Sequence, residues 1–71
     1  METARLISGY TEFDDPDLVG LSVASIRSKY GSTFNIPAGA RATVNGVAAA
    51  EDATLQANDE IVFDAPTGTK G

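Results

Sequence analysis

No cysteine, histidine or tryptophan occurs among the 71 residues. Without cysteine there is no disulfide staple and no thiolate metal site. Without histidine there is no imidazole ligand, and the Ser-His and Cys-His forms of nucleophilic catalysis fall away. Aromatic residues are few, two Tyr and three Phe, so the core must be mainly aliphatic. No apolar run approaches the roughly 20 residues of a membrane span, and no signal-peptide pattern follows Met1. Positive charge is also scarce. Five Lys and Arg stand against ten Asp and Glu, for a net charge of −5. The cations Arg5, Arg27, Lys29, Arg41 and Lys70 are scattered and form no run. That balance argues against nucleic acid, which rewards basic patches, and against anionic membrane surfaces. It favours solubility and a basic protein partner, with the cytoplasm as the expected compartment.

What is present points to one small folded domain. Apolar residues make up 42% of the chain, too many for a disordered polymer. A chain of this length buries only about 60% of its unfolded surface, so its core is marginal. A ligand pocket of roughly 300 Å³ or more is hard to house in it, and catalysis by the chain alone is not expected.

Local chemistry divides the chain. Thr3 to Ser8 alternates, with Ala4 and Leu6 against Arg5 and Ile7, as a first strand would. Gly9-Tyr10 begins a turn, and residues 12 to 17 (EFDDPD) are dense in turn formers, with Pro16 barring a central strand. Leu18 to Leu21 reads as a short second strand. Ser22 is a helix N-cap, followed by Val23, Ile26 and Tyr30 on one face. Gly31 is placed to end that helix, about ten residues long, in a left-handed cap. Arg41 to Asn45 alternates as a half-buried strand, and Asn45-Gly46 is a type I′ hairpin signal. Val47 to Ala49 returns, Leu55 plugs the core, and Asn58-Asp59 turns the chain into the last strand, Glu60 to Asp64. There Ile61 and Phe63 share the core face and Val62 points away. The sum is an α+β arrangement, ββαββ, with one helix packed on a mixed sheet.

The ordered set Val44-Asn45-Gly46, Leu55, Asn58-Asp59-Glu60-Ile61, Val62-Phe63 and Pro66 resembles the C-terminal half of the small sulfur carriers, the ThiS and MoaD families. The helix after Ser22 stands where theirs stands, so the likeness covers residues 21 to 66. It implies a ubiquitin-like β-grasp domain over residues 1–66 and a functional tail over residues 67–71. In that family an E1-like adenylating enzyme activates the C-terminal carboxylate with ATP, giving a thiocarboxylate or an isopeptide donor. Carried over, Gly71 is the reacting residue and Gly68, Thr69 and Lys70 lead to it. The carriers end in Gly-Gly, whereas Lys70 here precedes Gly71. The ending Gly-Thr-Lys-Gly itself resembles the tails of small β-grasp proteins of plasmid-borne PRTRC systems.

The resemblance and the acidic balance together nominate Asp59, Glu60, Val62 and Asp64 as a partner-binding surface. The plainer reading is that Asp59 caps a turn and Glu60 is an exposed strand residue. Glu12, Asp14, Asp15 and Asp17 offer hard oxygen ligands, but without the spacing of a calcium loop they read as a solvated segment, and no metal or cofactor is expected. Ser22 has no base to activate it and reads as a cap. The leading expectation is a ubiquitin-like or sulfur-carrier-like protein, not an enzyme, acting by contact with a larger enzyme. The alternative is a non-covalent structural or regulatory module of phage or mobile-element type with an inert tail. A third reading takes Phe34-Asn35-Ile36-Pro37 and Asn58 to Ile61 as pieces of an AbrB-type DNA-binding hairpin, which the charge opposes.

Overall fold

A computed structural model describes residues 2–9, 11–37 and 39–64. Among these residues five strands form one mixed sheet and a single α-helix lies on one side of it. The strands are β1 (Ala4–Ser8), β2 (Thr11–Asp15), β3 (Arg41–Val44), β4 (Val47–Ala48) and β5 (Glu60–Asp64), and the helix is α1 (Val23–Tyr30). Their order across the sheet is β2-β1-β5-β3-β4. β1 and β5, from opposite ends of the chain, run parallel at the centre, and every other pair is antiparallel.

The helix follows its sequence signals closely. The Ser25 amide donates to the Ser22 hydroxyl at 3.1 Å, which satisfies one of the free donors of the first turn. Val23, Ile26 and Tyr30 face the sheet and join Ala4, Leu6, Ala42, Leu55, Ile61 and Phe63 in one core. Each such burial of a large aliphatic side chain is worth about 1.5–3 kcal/mol. Leu55 has no solvent exposure, as expected of a plug from a loop. Asn45 (φ 53°) and Gly46 (φ 83°) carry the two positive φ angles of a type I′ turn.

Three expectations are corrected. Residues 12 to 17 do not form a turn, because Thr11–Asp15 is a strand paired along its whole length with β1. It lies at the sheet edge, where only Phe13 has to serve the core side, so acidic residues are tolerated on the rest. Pro16 follows the strand and opens a 3₁₀ turn (Pro16–Leu18), capped by the Asp15 carboxylate, which accepts from the Asp17 amide at 2.8 Å. Second, Leu18 to Leu21 is not a strand. Gly20 takes φ 89°, which breaks the extended run, and only an isolated bridge, Ser22 to Thr54, forms nearby. Third, Gly31 is right-handed (φ −56°), not a left-handed cap. Glycine is needed there because a Cβ would collide with the Arg27 carbonyl. The left-handed residue comes later, at Asn35 (φ 55°), after the Phe34 amide has bonded back to the Tyr30 carbonyl.

Candidate functional site

The pleat of the sheet sorts β5 into two sets. Ile61 and Phe63 are buried under α1, while Glu60, Val62 and Asp64 share the opposite face. Among the described residues no helix covers that outer face. The strand register places Glu12, Ile7, Val62, Thr43 and Ala48 side by side in one row across all five strands. Its middle, Ile7, Val62 and Thr43, is a half-buried band of β-branched residues. On one side of the band lies the row Asp14, Arg5, Glu60, and on the other the pair Asp64 and Arg41.

The charges flanking this band are not equivalent. Arg5 donates to both carboxylate oxygens of Asp14, at 2.8 and 3.3 Å, and stands 4.0 Å from Glu12. The hydrogen bond from Arg5 holds the Asp14 carboxyl below its ordinary range, and the same bond raises Arg5. Both groups are exposed, so the pair orients side chains more than it stabilises the fold. Arg41 forms no ion pair among the described residues, although Asp64 lies opposite it in register.

Asp59 stands apart from its three neighbours. Its carboxylate accepts from the Gln56 amide at 2.8 Å and from the Asn45 side-chain amide at 2.9 Å. These bonds, the one from Gln56 first, hold its pKa below the ordinary carboxylate value. Asn45 in turn accepts from the Glu60 amide at 3.0 Å. Both oxygens of Asp59 are therefore engaged, one joining the β3–β4 turn to the start of β5 and the other closing the turn from Gln56, while Glu60, Val62 and Asp64 point outward.

The acidic segment also divides by face. Glu12 and Asp14 lie on the outer face and Asp15 caps the 3₁₀ turn. Among the described residues no group of three acidic side chains could hold a metal ion. The Ser22 hydroxyl serves the Ser25 amide, as a cap does. Gly68, Thr69, Lys70 and Gly71 lie outside the described residues. No helix among the described residues is long and apolar enough to cross a membrane.

Sequence reading missed most of the outer face. Arg5, Ile7, Glu12, Asp14, Arg41 and Thr43 join it through strand pairing, and β2 was hidden by its turn-like composition. The period-2 alternation of Arg5 with Ile7 and of Arg41 with Thr43 was the local signal. It also missed Arg27, which donates to Glu51 at 3.1 and 2.7 Å and to the Ala40 carbonyl at 2.7 Å, with its guanidinium 5.3 Å from the Phe63 ring centre. This residue ties α1 to two loops, and its hydrogen bond lowers the pKa of Glu51.

Comparison with protein-family models, with curated proteins and with solved structures returns no significant match.

Proposed function

We propose that this chain is a β-grasp protein, ubiquitin-like or sulfur-carrier-like, that works in the cytoplasm by docking on a larger enzyme and performs no chemistry alone. The observation that carries the reading is the uncovered sheet face, with its Ile7–Val62–Thr43 band rimmed by charge. A half-apolar strip at the centre of a charged face is the usual composition of a docking surface. The strand order, with a parallel central pair and one helix on the far side, agrees with the fold that the sequence resemblance implies. An E1-like adenylating enzyme is the proposed partner, with Gly71 as the group it activates.

Lys70, in the place of a penultimate glycine, favours a second reading, a non-covalent binding module whose tail is inert. One experiment separates the two. The full chain is incubated with ATP, magnesium, a sulfide donor and the adenylating enzyme of its host, and its intact mass is measured. An adenylate, or the exchange of a carboxylate oxygen for sulfur, supports activation. An unchanged mass, with binding to the enzyme lost in Val62→Arg but kept on deletion of residues 67–71, supports the module. No binding by either form refutes both.

A further inference from the structure

The two edges of the sheet differ, and no described residue covers the longer one. β4 spans two residues, whereas β2 spans five and is bordered on one side only. The direction of its free backbone groups follows from β1. The Arg5 amide donates to the Asp59 carbonyl, at 2.9 Å, so Arg5 and Ile7 turn their polar backbone toward β5. By alternation Ala4, Leu6 and Ser8 face β2, where they pair with Asp15, Phe13 and Thr11. The amides and carbonyls of Glu12 and Asp14 therefore point outward, and no described residue bonds to them. Natural sheets seldom leave such a row uncovered, since it is a template for another strand.

The side chains along this edge are sorted by chemistry. Glu12 and Asp14 are on the outer face beside Arg5. Phe13 is on the inner face, where it meets Phe34 at 5.1 Å and Tyr30 at 5.8 Å between ring centres. Phe13 and Phe34 remain partly open to solvent. Counting Asp15 and Asp17, four carboxylates crowd this segment against the one guanidinium of Arg5.

We infer that the β2 edge is a strand-addition site for an extended segment of another protein in which an apolar residue lies between two basic ones. An added antiparallel strand hydrogen-bonds to Glu12 and Asp14, and its two facing residues come out on the acidic outer face, where Lys or Arg fits. The residue between them falls in the close, non-hydrogen-bonded position beside Phe13, where an aliphatic or aromatic side chain extends the ring cluster. A second copy of this chain is the poorer occupant, because antiparallel β2–β2 pairing sets Glu12 against the acidic residues of its twin. The inference rests on the edge alone and does not depend on the β-grasp reading or on any adenylating enzyme.

The test uses the full chain and two short synthetic peptides of repeating Lys-Val-Lys-Val and Glu-Val-Glu-Val sequence, read by amide hydrogen exchange. With the basic peptide the Glu12 and Asp14 amides gain protection about tenfold or more, while Phe13, already paired within the sheet, changes little. The acidic peptide leaves all three unchanged, and added salt weakens the basic complex. Glu12→Lys transfers the preference toward the acidic peptide, which a merely structural role of Glu12 does not predict. The inference is overturned if the basic peptide perturbs Ile7 and Val62 but leaves the β2 amides exposed, or if both peptides act alike. It is equally overturned if the same amides are already protected in a dimer of the chain alone.

Discussion

The two faces of the sheet are built from the same strands and obey different rules. On the covered face Leu6 and Ile61, adjacent in register, have no solvent exposure, and Phe63 and Ala4 are nearly as closed. On the other face Ile7 and Val62, one position along each strand, are only half-buried and stand among carboxylates and guanidinium groups. The difference teaches that alternation in a strand assigns two jobs at once. The covered face holds the domain together, and the uncovered one is free to be shaped for a partner.

The contrast breaks most visibly at the centre. Ile61→Ala is expected to cost about 2–5 kcal/mol, because it leaves a cavity between α1 and the sheet. In a domain whose total stability is on the order of 5–15 kcal/mol, or less at this size, that brings the chain close to unfolding. Urea titration followed by circular dichroism reads the effect directly. Asn45→Ala comes next, at about 1–3 kcal/mol. It removes the bonds to the Glu60 amide and the Asp59 carboxylate and places alanine at φ 53°. Asn45→Gly separates the two causes, since it relieves the backbone while still losing the side chain. Ser22→Ala should cost roughly 1 kcal/mol through loss of the cap, again by urea midpoint. Val62→Thr, on the uncovered face, should stay within about 0.5 kcal/mol while weakening capture by a partner enzyme. A large loss of stability there would mean that the outer face is structural after all.

Acid sharpens the same contrast at the sheet ends. Asp59, Asp14 and Glu51 all have folded pKa values below their ordinary ones. A depressed value means that the unfolded chain binds protons more readily, so the stabilisation is complete above the ordinary carboxylate range and declines as pH falls through the folded values. Melting temperature measured from neutral to acidic pH should therefore drop in that lower window. Asp59→Asn should flatten part of the drop, and by more than Asp14→Asn, because Asp14 rests on one exposed ion pair.

What could be read from the sequence was the chemistry that acts over a few residues. Ser22, the i and i+3 spacing of Val23 and Ile26, the Asn45-Gly46 turn and the alternation in Glu60 to Asp64 each specify their element locally, and each is found where expected. β2 was illegible because an edge strand needs only one core residue, Phe13, and its acidic neighbours look like a turn until Arg5 is seen opposite Asp14. The same holds for the outer face. Val62, Glu60 and Asp64 were named from one strand, but the residues that complete the surface come from β1, β2 and β3, and their alternation shows which share a face of one strand but not that pairing brings them beside Val62. Asp59 read equally well as surface or cap, and its two internal hydrogen bonds show what occupies it.

The parallel pair at the middle of the sheet has a consequence during synthesis. β1 is synthesised before every other strand of the sheet, yet its partner β5 comes after all of them. Until β5 emerges, the nascent chain has only the β1–β2 hairpin, the helix and the β3–β4 hairpin, none of which closes a core. Pairings this distant in sequence slow folding, because the whole intervening loop must be gathered first. The domain is thus expected to close its core only once β5 has emerged, with Leu6 and Ile7 exposed to chaperones until then.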